Sequence, residues 1–481
     1  MKRLLLAVVL LSASGPSIIV ATPAPSATPR ATASAAAAVG TAVFDGARAK
    51  EHVAYLADPA RGGRYSGSAG YLEAAQYVAE QFKAVGLEPL GDGGTFFQRF
   101  PMPIVDLAAT PTLERTGADP KVWKHRVDFT ESVGGRAGNG AAEAQVVVVG
   151  GAAKGNGQDD FAGVSTRGRV ALITGPTGGN ALENAYAEGA VGVLVVGNAA
   201  IRYSFIPRFQ SETIPVLVIT ESAANDLLAP SGRTVSQVQS AVRARRSSSS
   251  APSPSFETDV SVRMTLPLSP VREVEGVNVV GLLRGSDPDL SKRAVLVGGH
   301  LDGVGTDPDG TVFPGANDNA SGPAVAIEVA RALMPRRAEL QRSVIFVAFA
   351  GEEEGLLGSE AYATRTIASP GRVESLVAYL NLDVIGCCGD TIEASEENSG
   401  LVERIRAAAD RLGIPFRSIR GGGSDHASFT KRGVPAAIIL WSDIVLHTPG
   451  DTTAIIETSR LQKAGDVVTA VTLELGRGDG P

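Results

Sequence analysis

At 481 residues the chain is long enough for two or three domains with cores of their own. Its 44% hydrophobic and 20% charged residues describe a globular protein, and a formal charge of -7 with only small basic clusters excludes the electrostatic footprint of a nucleic-acid binder. The two cysteines, Cys387 and Cys388, are adjacent, which excludes a disulfide between distant parts of the fold.

Met1 to Leu11 reads MKRLLLAVVLL, a charged start and a short apolar core, followed by the small residues Ser12, Ala13 and Ala21. This pattern predicts a signal peptide over 1–21 and export to an extracellular or periplasmic space. The apolar run is too short to cross a bilayer, and no later stretch offers about 18 uninterrupted apolar residues, so no stable membrane insertion is expected. Residues 22–40, rich in Ala, Thr, Pro and Ser, read as a flexible tether.

Residues 41–105 open with a predicted helix, Ala47 to Leu56, then the turn GGRYSGSAG, then a second helix from Tyr71 to Val85 that Gly86 stops. Over 106–256 the chain changes to short Val-rich strands, drawn at Ala144 to Val149, Val170 to Thr174, Val191 to Val196 and Val216 to Thr220, with a helix at Asn180 to Glu188. This stretch holds only His125 and no cluster of ligand or nucleophile types, so it reads as a module without chemistry of its own, ending in a linker, Arg245 to Ser255. Its paired glycines fit neither GxGxxG nor a phosphate loop. Residues 257–481 then alternate strands and helices: Val279 to Leu283, Ala294 to Val297, helix Pro323 to Leu333, Val344 to Phe349, helix Leu356 to Thr364, Leu376 to Leu382, helix Leu401 to Leu412, Ala436 to Leu440, and helix Ser459 to Leu475. The expected fold class is α/β: a mostly parallel, doubly wound sheet with helices on both faces, joined by the first two helices and interrupted by the middle module as a small β-rich α/β insertion.

The chemistry-bearing residues fall at strand ends. His300 and Asp302 follow VLVGG, Glu352, Glu353 and Glu354 follow VIFVAFAG, and Asp383 ends LVAYLNLD, while Asp318 and His447 lie on loops. Carboxyl ends of parallel strands share one side of a sheet, so residues far apart in sequence can converge on one crevice. Three adjacent glutamates repel one another and, if buried, need a cation or protonation. The alternative is a solvated acidic helix start. Converged imidazoles and carboxylates suit zinc, and one shared carboxylate can hold two ions. Cys387 and Cys388 are expected as free thiols, because their Cα atoms, about 3.8 Å apart across a trans peptide, are closer than the usual disulfide range, with a vicinal disulfide in an oxidising compartment as the alternative. Asp307-Pro308-Asp309-Gly310 reads as a turn, since the spaced ligands of a calcium loop do not follow.

In order, GGHLDGVG, GANDNASG, FAGEEEGLLGS, LNLDVIG, GSDHASF and LHTPGDT resemble the motif set of the secreted di-zinc aminopeptidases, a metallopeptidase family with glutamate-carboxypeptidase-like and glutaminyl-cyclase-like branches. DDFAGVSTRGRVALI with AYAEGAVGVLVVGN is similar to the protease-associated domain that many members carry, and HVAYLADPARGGRYSGSAG to their N-terminal segment. The resemblance implies two zinc ions bridged by Asp318, with His300 and Asp383 completing one site and Glu353 and His447 the other. It implies Glu352 as general base for a metal-bridging hydroxide, Asp302 as the carboxylate that orients His300, and Glu354 and His426 outside the ligand set. The substrates would be peptide or protein N-termini. Where some aminopeptidases of the family place an oxyanion-stabilising tyrosine, this chain has Gly421-Gly422-Gly423. A carboxypeptidase using Arg420, a one-zinc glutaminyl cyclase and a non-catalytic receptor-like module are the competing readings.

Overall fold

Ser343–Phe349 is a strand of seven residues, every one of them buried. Successive side chains of a strand point to opposite faces. Val344, Phe346 and Ala348 therefore enter one hydrophobic cluster and Ile345, Val347 and Phe349 another. The strand is the middle of a core covered on both sides. The computed structural model describes residues 44–478 apart from 133, 176–179, 206–212, 249–250, 366–369 and 443–444, so the expected signal segment 1–21 and the whole tether 22–40 lie outside the described residues.

Ser343–Phe349 pairs in parallel with Ala294–His300, which pairs in parallel with Leu376–Leu382, which in turn pairs in parallel with Ala436–Leu440. At one flank Arg272–Leu283 runs antiparallel to Ser343–Phe349 and carries Phe97–Ile104 and Glu88–Pro89 on its other edge. At the other, Ile392–Ser395 runs antiparallel to Ala436–Leu440 and pairs with Phe416–Ile419. The sheet is thus parallel at its centre, as expected, and mixed at its flanks, where strands come from outside the regular strand–helix alternation. The helices Gly46–Leu56, Ala69–Val85, Ser321–Leu333, Ser399–Arg411 and Thr458–Gly476 cover one face, and Leu357–Thr364 and His426–Thr430 the other. Phe349 packs edge-on to Tyr362 and Tyr379 and beside Phe429, so cutting it to alanine would cost about 3–5 kcal/mol.

The first helices belong to this domain. Ser68 caps Ala69–Val85 by accepting from the Tyr71 amide, and Gly86 ends it in the left-handed region at φ 96. The two ends of the described chain meet, with the Gly46 amide donating to Gln462 Oε1 at 2.9 Å and Gln462 Nε2 donating to the Phe44 carbonyl at 3.1 Å.

The middle module is a second sheet in the order Lys121–Trp123, Thr112–Thr116, Phe256–Leu266, Gly140–Val148, Val170–Ile173, Gly192–Val196, Val216–Ile219, Phe129–Glu131. Its four strands from Gly140–Val148 to Val216–Ile219 run parallel. Helices Glu221–Leu228 and Val235–Ser247 pack on one face and Ala181–Ala187 on the other. The expected boundaries need correction. The expected boundary at 256/257 falls at the start of Phe256–Leu266, yet this strand pairs with both Thr112–Thr116 and Gly140–Val148 inside the module. Its alternating burial, polar Glu257 and Arg263 outward and Val260, Val262 and Met264 inward, is what seats it there. Arg245 and Arg246, read as linker, form the last turn of Val235–Ser247.

Cys387 and Cys388 are also corrected, because they form a vicinal disulfide in place of two free thiols. The Cα atoms stay 3.8 Å apart. The chain accommodates the bridge through its backbone, with Cys388 in the left-handed region at φ 76.

Candidate metal centre and active site

His300 is the last residue of Ala294–His300, and the two glycines before it set its position. A Cβ on Gly298, at φ 150, would lie 1.8 Å from the Val347 carbonyl oxygen, and one on Gly299 would lie 2.1 Å from that of Leu382. Only glycine lets the backbones of three neighbouring strands come this close. His300 Nε2 then stands 3.2 Å from Asp383 Oδ1 and 3.3 Å from Asp318 Oδ1. The other oxygen of Asp318 lies 2.9 Å from His447 Nε2, which is 3.1 Å from Glu353 Oε1. Two three-residue groups result, His300–Asp318–Asp383 and Asp318–Glu353–His447, sharing Asp318.

The segments that carry these carboxylates are held in place by further hydrogen bonds. Asp451 accepts the main-chain amides of Asn317 at 2.7 Å and Asp318 at 2.9 Å, fixing the loop before helix Ser321–Leu333. Ser424 Oγ donates to Asp383 Oδ2 at 2.6 Å and accepts from Asn381 Nδ2 at 2.8 Å. Asp302 accepts the amides of Glu352 at 3.3 Å and Glu353 at 3.2 Å. Its relation to His300 differs in detail from the expected one. His300 Nδ1 is 3.2 Å from the main-chain oxygen of Asp302 and 3.8 Å from its carboxylate, so the carboxylate chiefly sets the glutamate turn.

The donor set fits a pair of metal ions. A tetrahedral zinc with ligands at about 2.0–2.1 Å places those ligands about 3.3 Å from one another, which is the spacing between His300 and its two carboxylates. Among the described residues His447 Nδ1 is buried without a hydrogen-bond partner. Imidazole and carboxylate are the ligands zinc takes in open, catalytic sites.

The electrostatics point the same way. Burial works against the His300 and His447 imidazolium forms, yet the carboxylates overcome it and raise both well above the usual range, Asp383 and Glu352 chiefly for His300 and Glu353 with Asp318 for His447. Asp318 is lowered despite its burial, because both imidazoles bond to it. Burial raises Glu352 well above the usual carboxylate range, with Glu353, Asp383 and Asp425 adding to it against His300. Burial likewise raises Asp302 to about 6 and Asp425 to about 7. This much unrelieved negative charge in one pocket calls for cations.

The glutamate triplet is no solvated helix start. The helix begins only at Leu357, and Glu354 is fully buried. Glu352 joins His300 and Glu353 in a third ligand-type group, while Glu354 and His426 stay outside every such group. His426 Nε2 is 3.9 Å from Glu397. Asp307 to Gly310 forms the expected turn, the Gly310 amide donating to the Asp307 carbonyl at 2.9 Å.

Several residues of the site escape sequence reasoning. Arg64, buried, donates to the carbonyls of Leu301 at 2.8 Å, Pro314 at 2.6 Å and Gly315 at 2.8 Å, tying the loop after His300 to the loop before Asp318. Burial lowers it to about 10 even beside Asp451, Asp302 and Asp318. Asp451 lies within the LHTPGDT motif and Arg64 within GGRYSGSAG, but neither has a local pattern that announces such distant partners. Tyr203, from the middle module, stands edge-on to the His447 ring with centroids 5.0 Å apart.

The sequence model of peptidase family M28 matches residues 278–472, which spans every one of these candidate ligands. Among curated proteins, "Aminopeptidase YwaD" of Bacillus subtilis (strain 168) is 33% identical over 229 residues, covering 44% of this chain and 47% of the relative. A "Probable leucine aminopeptidase" of Arthroderma benhamiae is 31% identical over 208 residues, covering 40% and 57%. The chain thus spans about half the length of these curated relatives. Among solved structures, an aminopeptidase from Aneurinibacillus sp. strain AM-1 has a TM-score of 0.64 at 22% identity, covering 90% of this chain and 94% of the other. The zinc aminopeptidase BSAP from Bacillus subtilis also has a TM-score of 0.64, at 23% identity, covering 91% and 97%. These two structures share the fold over nearly the whole chain, and residues 278–472 of that fold match the model of peptidase family M28.

Proposed function

We propose that the protein is an exported di-zinc aminopeptidase that removes residues from peptide N-termini. The observation that carries this reading is the pair of ligand groups sharing Asp318, with Glu352 beside them. His300 and Asp383 would hold one zinc, Glu353 and His447 the other, and Asp318 both. Bound zinc supplies a water of lowered pKa and an electrophile for the scissile carbonyl. Glu352 takes the proton from the attacking water and hands it to the leaving amine. Asp451 and Ser424 keep Asp318 and Asp383 facing the ligand positions, and Asp302 fixes the turn that separates Glu352 from Glu353.

The carboxypeptidase reading loses its main support. Arg420 is 92% exposed and bonded to Glu396, so it presents no guanidinium to a buried terminal carboxylate. Of the acidic residues between Glu393 and Glu397 that could receive a substrate ammonium, Glu393 is tied to Arg417 and to the Ser442 hydroxyl and Glu396 to Arg420, which leaves Glu397 beside His426, together with Glu352 itself, as candidates. The curated relatives are named aminopeptidases, and two ligand groups favour hydrolysis over a one-zinc cyclase. The module between the two sheet strands Phe97–Ile104 and Arg272–Leu283 is read as the protease-associated type. Purified protein assayed for zinc and for cleavage of leucyl peptides and their N-acetylated forms tests the reading. Two zinc per chain with the free amine required is expected, and cleavage of acetylated peptides from the carboxyl end would overturn the aminopeptidase assignment.

A further inference from the structure

The middle module reaches into the site through one short segment. The Arg202 main-chain amide donates to the His447 carbonyl at 2.9 Å, and the next residue, Tyr203, sets its ring against the His447 imidazole at an interplanar angle of 79°. The segment is firmly held. Arg202, with 1% of its side chain exposed, donates to Asp307 Oδ1 at 2.7 Å, to Asp106 Oδ1 at 2.6 Å and to the Val304 carbonyl at 2.6 Å. Arg126, also from the module, takes Asp307 from the other side at 2.7 and 2.8 Å, and both guanidinium groups lie over the Phe313 ring. Val304, Asp307 and Phe313 all belong to the loop that leads from His300 to Asp318.

His447 needs such a support more than His300 does. A ligating imidazole ordinarily gives its second N–H to a fixed acceptor, which sets the ring's orientation. His300 has one in the Asp302 carbonyl. His447 Nδ1 has none among the described residues, and its backbone sits in the left-handed region at φ 54, which few side-chain-bearing residues adopt. We propose that Tyr203, delivered by the module and anchored through Arg202, is the positioning residue for His447, so that the module completes the His447 side of the metal centre. This rests on the di-zinc reading above.

The test strips the full-length protein of metal and titrates it with Zn²⁺ against a competing chromophoric chelator. The wild type is expected to take up two equivalents. In Tyr203→Ala one equivalent should bind as before and the other about tenfold or more weakly, the size of effect that losing a ligand-orienting partner produces. Tyr203→Phe, which keeps the ring, should restore wild-type binding, and excess zinc should recover kcat in Tyr203→Ala without changing KM. Tyr203 is 41% exposed, so its loss leaves the cores untouched. If circular dichroism shows Tyr203→Ala unfolded, Tyr203→Leu carries the same expectation. Wild-type affinity for both equivalents in the folded variant overturns the positioning role and leaves the di-zinc reading standing. Fewer than two equivalents in the wild type overturns the di-zinc reading itself.

Discussion

Both sheets of this protein have four parallel strands at their centre and helices on two faces, yet among the described residues only one carries groups of metal-ligand type at its strand ends. In the first, the central strands lead into His300, into Gly351 and the glutamate triplet, and into Asp383. In the second, Val170–Ile173, Gly192–Val196 and Val216–Ile219 lead into Thr174, Gly197 and Thr220, none of them a metal ligand. Thr220 instead caps the helix Glu221–Leu228, accepting from the Ala223 amide at 3.2 Å. The architecture offers a crevice at the strand ends, and the residues standing there decide whether it has chemistry.

The contrast is sharpest at Glu352. Glu352→Gln is expected to lower kcat by about 10² to 10⁴ while zinc content stays at the wild-type level, because a proton carrier is lost and no ligand is. Elemental analysis beside steady-state kinetics reads both quantities, and loss of zinc from this variant would move the ligand role onto Glu352. Glu353→Ala should show the reverse order of effects, with one zinc equivalent lost before any change in the chemistry of the remaining protein. Asp451→Asn keeps the shape but weakens an acceptor of two main-chain amides, and should lower zinc affinity about 10- to 100-fold. Unchanged affinity there would mean that Asp318 is held by its own loop.

In the module the largest expected effects are on stability. Burial alone would raise Glu131, but its bonds to His125 and Arg126 prevail and lower it from 4.5 to about 2. A carboxylate whose folded pKa is depressed stabilises the protein fully above pH 4.5, and that stabilisation fades as the pH falls toward 2. It amounts to on the order of 3 kcal/mol. The gap in Tm between the wild type and Glu131→Gln should therefore narrow from pH 6 to pH 3, and a gap independent of pH would reject the assignment. Smallest of all, Thr220→Ala should cost about 1 kcal/mol of stability through the lost cap and leave kcat/KM within about twofold, since nothing at that strand end touches the reaction.

The residues that the structure brings together at the strand ends each carried their own structural address in the sequence. His300, Glu353 and Asp383 each stand at or just beyond the end of an apolar run, and such runs state both the strand and the side of the sheet where it ends. Asp318 and His447 read as candidates on loops beside those strand ends, and only the motif resemblance implied which zinc each would hold, because a loop residue has no periodicity to place it. Phe256–Leu266 was legible by its alternation of polar and apolar residues, but the Ser- and Pro-rich stretch before it argued for a linker. The roles of Asp451, Arg64 and Arg202 were not legible, although the first two fall within stretches that resemble family motifs. Their partners are carbonyls, amides and carboxylates far along the chain, and no local pattern encodes those.

The bonds between Phe44, Gly46 and Gln462 set an order of events during synthesis. The module's strands all lie between Thr112 and Leu266, so it can fold while most of the peptidase domain is still untranslated. The helix Gly46–Leu56, by contrast, packs on Thr458–Gly476, a contact that cannot form until residues 458–476 have been made. The N-terminal helices and the edge strand Phe97–Ile104 must wait, partly unpaired, for more than half the chain to emerge. Domains generally fold as units during translation, and exposed strand edges are aggregation-prone in the interval. An exported protein held unfolded until after transit would avoid that interval, because all of its partners would then arrive together.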